Sequence, residues 1–277
     1  MRYIICFLTV VMISFVACKQ GGRNGNQIDS IQHIAIQNDS ATGGNLVKSE
    51  APDAASKMTQ GYALPRFDNK TAQSPVNILS DSTIHDANHS MTIAFKTGIT
   101  AVENLGHTVQ LDFKEGSTTI ADGKTYFARQ FHFHTPSEHL IDGITFPMEM
   151  HIVNILKDSA SNKVPRYMVI AILFKMGHEN KFLKEFLNSI PANEEKDSLA
   201  PGAVNVEDLF NAIPKNEQGY FSYQGSLTAP PFTESVDWVI KKYIMEASPE
   251  QINKIEKTEG DNARHVQALY ARKVFNH

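Results

Sequence analysis

The stretch Gln130-Phe131-His132-Phe133-His134 leaves few choices for the backbone around it. On an extended strand alternate side chains share a face, so Gln130, His132 and His134 point one way. Phe127, Phe131 and Phe133 then point the other way, and theirs is the predicted core face. The imidazole side must meet either solvent or a polar cavity.

A second segment bears on that choice. Met148 to Leu156 has the hydrophobicity of a buried strand, yet it carries Glu149 and His151. A buried charge is costly unless it is paired or metal-bound. Period two puts Glu149, His151 and Val153 on one face. The linker from Thr135 to Pro147 is long enough for an antiparallel return, which would bring His151 opposite the first His pair. Three neutral imidazoles from two strands, with a fourth position open, form the catalytic type of zinc site. Structural zinc more often has four ligands including thiolates, and only Cys6 and Cys18 are present. A His-x-His pair alone is weak, since such pairs also occur on strand surfaces. Gln130 and Glu149 strengthen it, being suited to hold the imidazole nitrogens that do not ligate.

The rest of the chain supplies the frame. Its 277 residues can bury a substantial core. With 42% hydrophobic and 20% charged residues, it reads as globular. The net charge of −4 and the scattered Lys and Arg give no basis for nucleic-acid binding. Met1-Arg2-Tyr3 leads into an apolar run from Ile4 to Ala17, too short to span a bilayer comfortably and suited to a secretory signal. Phe15-Val16-Ala17-Cys18 resembles a bacterial lipobox, so residues 1–18 are expected to be a signal whose Cys18 receives a lipid. Two or more acyl chains there would hold the protein on a membrane. An uncleaved anchor and ordinary cleavage near Ala17 are the alternatives. Export would place the protein in the periplasm or on the cell surface, with no disulfide in the mature chain.

Residues 19–58 have the composition of a flexible tether. From 59 to 277 the texture is that of one β-dominated α/β domain. Thr108 to Phe113 and Tyr126 to His134 alternate with period two, and Arg166 to Phe174 suits a central strand. His178 to Ile190 predicts a helix burying Phe182, Leu183, Phe186, Leu187 and Ile190. Ser248-Pro249-Glu250-Gln251 reads as a capping box opening a helix that ends near Gly260.

Several of these stretches together resemble the alpha class of carbonic anhydrases. Gln130-Phe-His132-Phe-His134, Ser137-Glu138-His139 and Glu149-Met-His151 carry the likeness. So do Gly225-Ser226-Leu227-Thr228-Ala229-Pro230-Pro231, Glu234 and Trp238, Gln73-Ser74-Pro75-Val76-Asn77-Ile78, and Asn104-Leu105-Gly106-His107, all in order from 73 to Arg272. The resemblance implies a large twisted, mainly antiparallel central sheet with short surface helices. It implies zinc on His132, His134 and His151 with a water as fourth ligand, and attack of the resulting hydroxide on carbon dioxide to give bicarbonate. Thr228 would accept a hydrogen bond from that hydroxide and donate its own proton to Glu138. His107 would shuttle the released proton, and Asn262 joins Gln130 and Glu149 among the residues supporting the ligands. Val153, Val169, Leu227, Val236 and Trp238 would line an apolar pocket for carbon dioxide.

The chain departs from the family pattern in places. The segment before Gln73 is shortened to Gly61–Phe67, with Tyr62 the one Tyr in it. Phe232 stands where many exported members have a disulfide Cys. Leu105 and Ala229 replace polar residues, which bears on the water network between zinc and His107. Two rivals stay open: a binding module of the same fold without hydration activity, and a zinc esterase. The oligomeric state is not legible.

Overall fold

Two strands at the middle of the sheet have both faces covered, and this explains their composition. The structure is a computed structural model that describes residues 70–96, 98–157 and 164–277. The expected signal, Cys18, the tether and Tyr62 lie outside the described residues. In chain order the strands are β1 (Asn77–Ile78), β2 (Ile84–His85), β3 (Met91–Ala94), β4 (Ile99–Asn104) and β5 (Val109–Phe113). There follow β6 (Thr118–Ala121), β7 (Lys124–His134), β8 (Leu140–Ile141), β9 (Met148–Leu156) and β10 (Tyr167–Met176). The last five are β11 (Lys196–Ser198), β12 (Tyr220–Gly225), β13 (Val236–Lys241), β14 (Met245–Ala247) and β15 (Phe275–Asn276). Helices α1 (Lys181–Phe186), α2 (Val206–Asn211) and α3 (Pro249–Glu259) are short.

Thirteen of these strands join one twisted sheet in the order β11-β4-β5-β7-β9-β10-β13-β12-β15-β2, with β6, β3 and β14 pairing off this path. Most pairs are antiparallel. Parallel pairing enters at β10–β13, β10–β14 and β15–β2. Each face of the sheet carries its own apolar cluster. Phe131, Phe133, Met150, Ile152 and Ile170 pack with Phe182, Phe186, Leu209 and Ile255 of the helices. Val169, Ala171, Leu173, Tyr223 and Trp238 pack on the opposite face. Strands buried on both sides read as nearly continuous apolar runs, as β9 and β10 do.

Phe127 corrects the simple alternation. The β7–β9 register slips between Ala128 and Gln130, so Arg129 is an extra residue in β7. The bulge lies where β7 changes partner from β6, which it pairs from Lys124 to Phe127, to β5, which it pairs from Gln130 to His132. Tyr126 and Ala128 before it therefore share the helix-side cluster with Phe131 and Phe133 after it. Phe127 turns to the other side and is half-buried.

The predicted helix over 178–190 is shorter than expected. Asn180 is extended, and its carboxamide oxygen accepts from the Leu183 N–H at 3.3 Å, which starts α1 at Lys181. At the other end a 3₁₀ turn, Leu187–Ser189, gives way to extended Ile190, as the following Pro191 disfavours the α region. Phe182, Leu183, Phe186 and Leu187 are buried all the same. The Ser248 capping box is present, and α3 ends at Gly260 with φ 72°.

Candidate metal centre

The pairing of β7 with β9 sets His132 directly across from His151 and His134 across from Glu149. Two residues along β7 and one step across the ladder bring three rings together, with centroids 4.6 to 5.3 Å apart. One nitrogen from each ring lies within 4.8 Å of the others. Their face is the one that carries Val169 and Trp238.

Neighbours fix which nitrogen each ring presents. The Gln130 carboxamide oxygen meets His132 Nδ1 at 2.9 Å, and the Glu149 carboxylate meets His151 Nε2 at 2.8 Å. These oxygens can only accept, so the protons sit on those nitrogens and the lone pairs face the centre at His132 Nε2 and His151 Nδ1. Both ring nitrogens of His134 are buried and neither makes a well-formed hydrogen bond, although Asn262 lies near enough to raise the ring's titration against burial. A buried polar atom left bare is costly, and a metal ligand bond would satisfy it.

Burial also keeps the rings neutral, the form that binds metal. It holds His132 well below the ordinary histidine range, takes His134 down to about 4, and lowers His151 as well. Glu149 goes the opposite way to most buried carboxyls. Burial alone would raise it, but His139 and His151 hold it well below the usual range. Its second oxygen accepts the backbone N–H groups of Glu138 and His139, both at 2.8 Å. His139, Glu149 and His151 also cluster tightly, yet their facing atoms are already engaged with one another.

Glu138 is 1% exposed, and burial raises its carboxyl above the ordinary range, against His151, the Arg264 N–H and a Thr228 hydroxyl hydrogen bond. Its Oε1 accepts from the Arg264 N–H at 2.9 Å. Its Oε2 points toward the centre, 3.6 Å from His134 Nε2 and 3.9 Å from His151 Nδ1. Thr228 sits in the loop after β12, and that loop is tied to the metal strands through a relay. His139 links Glu149 to the Tyr223 hydroxyl at 2.6 and 2.7 Å, and that hydroxyl donates to Ser74 Oγ. Ser74 and Ser226 exchange two hydrogen bonds, one through each side chain. Gly225 leaves room for this, since a Cβ there would strike Ser74 Oγ and the Trp238 ring.

Val153, Val169 and Trp238 line up across β9, β10 and β13 in register. With Leu227 and Val236 they form one apolar wall beside the rings, and Trp238 lies 4.9 Å from His151. His107 is exposed on the β4–β5 turn, donates Nδ1–H to the Leu105 carbonyl at 2.8 Å, and is near enough to bear on the titration of His132. Asn262 bears on the His134 ring and also binds backbone. Its Nδ2 donates to the carbonyls of His107 (2.8 Å) and Phe133 (3.2 Å), and its Oδ1 accepts from the Thr135 N–H. Leu105 is half-buried in the turn, and Ala229 is exposed.

Sequence reasoning missed Tyr223 and Arg264, and gave His139 no role. Arg264, buried, donates to Gln73 Oε1 and the Ser74 carbonyl, and its guanidinium lies 3.8 Å over the Phe232 ring. Only Gln73-Ser74 and Phe232, noted for other reasons, hinted at this cluster.

The fold and site together define a protein built on one large sheet, with a three-histidine centre beside an apolar wall and the Glu138 carboxyl. The family model for eukaryotic-type carbonic anhydrase matches residues 62–277. A carbonic anhydrase of Neisseria gonorrhoeae is 38% identical over 208 residues, covering 73% of this chain and 76% of that one. One from Pectobacterium atrosepticum is 34% identical, covering 74% and 79%. Among solved structures, the alpha-carbonic anhydrase of Thermovibrio ammonificans with the inhibitor sulfanilamide aligns with a TM-score of 0.67 and 35% identity, covering 74% of this chain and 87% of that one. The chain belongs to the alpha carbonic anhydrase family, and it is an enzyme of that activity.

Proposed function

We propose that His132, His134 and His151 hold one zinc ion, and that the protein uses it for the reversible hydration of carbon dioxide to bicarbonate and a proton. The observation that carries this reading is the set of three neutral imidazoles whose free nitrogens converge while their other sides are held by Gln130 and Glu149. When bound at such a site, zinc lowers the pKa of a coordinated water to about 7, making hydroxide available at neutral pH.

The remaining roles belong to the chain's own groups. Thr228 lies close enough to Glu138 to bear on its titration, and a hydroxyl that gives its one proton to that carboxyl can only accept toward the centre. It therefore favours a nucleophile that donates a hydrogen bond and turns that nucleophile's lone pair toward the substrate. Carbon dioxide has no net dipole, and the wall of Val153, Val169, Leu227, Val236 and Trp238 offers it contacts without competing hydrogen bonds. His107 takes up the released proton. Its Nδ1–H is committed to Leu105, which leaves Nε2 free to accept from a water chain and pass the proton to buffer.

The purified protein should contain one zinc per chain by elemental analysis and hydrate carbon dioxide in a stopped-flow assay. His132→Ala should lower zinc occupancy and reduce hydration by about a hundredfold or more. A fully zinc-loaded protein with no hydration activity would leave a binding module and defeat the catalytic reading.

A further inference from the structure

The β5–β7 ladder stops at the Gln110–His132 pair. Beyond it the two strands run on to His107 on one side and to His134 and Thr135 on the other, without further ladder pairing. A carboxyl from the last residue of α3 fills that gap. Glu259, 5% exposed, accepts the Val109 N–H at Oε2 (3.1 Å), and its Oε1 lies 3.2 Å from Thr135 Oγ1. Val109 is two residues after His107, and Thr135 directly follows His134.

The contacts define the proton's place. Thr135 has one hydroxyl proton and two neighbours, Glu259 Oε1 and the Gly260 carbonyl oxygen at 2.9 Å. A carbonyl can only accept, so the Thr135 proton goes to Gly260 and the bond to Thr135 is donated by the Glu259 carboxyl. Burial agrees, pushing Glu259 up to about 9 even with the Val109 N–H and the Thr135 and Thr108 hydroxyls beside it. A neutral acid also suits the C-terminal end of a helix, where a carboxylate is disfavoured. The acid thus accepts from one strand and donates to the other. The His107 turn has two further ties, from Asn262 Nδ2 to the His107 carbonyl and from Thr108 Oγ1 to the Phe133 carbonyl of β7 at 2.9 Å, and neither reaches Val109.

We infer that Glu259 is a positioning residue for proton transfer: as a protonated bridge between Val109 and Thr135, it sets how far the His107 turn stands from the three-histidine centre. The inference rests on the shuttle reading of His107 given above. Without the bridge the strand leaving His107 can splay from β7, and the water chain between the centre and His107 lengthens. The interconversion of carbon dioxide and bicarbonate depends on the centre alone and is spared.

Exchange of ¹⁸O between carbon dioxide and water, measured on the zinc-loaded full chain, reads interconversion and proton transfer as separate rates. Glu259→Met fills a similar volume and removes both hydrogen bonds. It should slow proton transfer about threefold to tenfold, with interconversion within about twofold of wild type. Added imidazole should restore its turnover. Glu259→Gln can accept from Val109 and donate to Thr135, so it should recover most of the proton-transfer rate. Should Glu259→Met fail to fold, Thr135→Val cuts the same bridge at its far end and should give the same selective defect. Equal loss of both rates, or no loss in a variant lacking the bridge, overturns the role of Glu259. If His107→Ala itself transfers protons at the wild-type rate, the shuttle reading fails first, a distinct result.

Discussion

Lys241 ends β13 with 3% exposure, and its ammonium has the Gln218 carbonyl and the Tyr220 ring as partners but no carboxylate among the described residues. Burial, with Lys242 adding to it, lowers its pKa from 10.5 to about 8. Below pH 8 both folded and unfolded states hold the proton, and the folded state bears the full desolvation cost. Between pH 8 and 10.5 the unfolded state binds more protons, so this group's contribution makes stability rise with pH. Lys241→Met should therefore stabilise the protein by about 1–3 kcal/mol at pH 7, with the gain shrinking toward pH 10. Urea unfolding at the two pH values checks this, and an equal effect at both would remove the electrostatic cause. Nothing in the run Val236 to Lys242 marks Lys241 as buried. The three imidazoles were legible because each shares its strand with apolar residues of opposite parity. His139, Tyr223 and Arg264 reach the site from separate segments, and no local pattern distinguishes them from ordinary core or surface residues.

At the scale of elements, the phase of β7 depends on Arg129. Tyr126 and Ala128 face the helix-side core on even numbers, while Phe131 and Phe133 face it on odd ones. Deleting Arg129 would join Ala128 to Gln130 and leave a regular strand with both faces in phase. The deletion variant is expected to keep one zinc per chain, at a stability cost of about 1–2 kcal/mol from the strained change of partner between β6 and β5. Elemental analysis of the purified variant would show otherwise if the bulge itself aims the rings. Bulges leave little trace in sequence, since one extra polar residue in an alternating strand looks like noise. Caps are more legible. The Ser248–Gln251 box read directly as the start of α3 because capping needs only residues within one turn. The helix over 178–190 was misjudged in length for the matching reason: apolar spacing continued past Asn180 and Pro191, where the backbone could not.

At the scale of the molecule, the order of strands was not legible. β10 pairs in parallel with β13 across a connection of more than fifty residues that includes α1, α2, β11 and β12. That crossover brings Trp238 beside Val169 in the apolar wall next to His151. The other whole-chain matter is its address. Cys18 is expected to carry lipid, so labelled palmitate should enter the protein in a bacterial host and be absent from Cys18→Ser, which should move to the soluble fraction in nearly full yield. Label persisting in Cys18→Ser rules out that anchor.

The sequence alone determined which side chains share a face, because side-chain direction along a strand repeats every two residues whatever the strand packs against. That was enough to put Gln130, His132 and His134 on one face, and Glu149, His151 and Val153 on another. Only the tertiary structure decided the register in which these faces meet, that Arg129 is the residue left over, and that Tyr223, Arg264 and Glu259 arrive from distant segments. Those meetings depend on which strands close against which. That choice is made by the summed burial of two apolar clusters, and no short window of residues contains it.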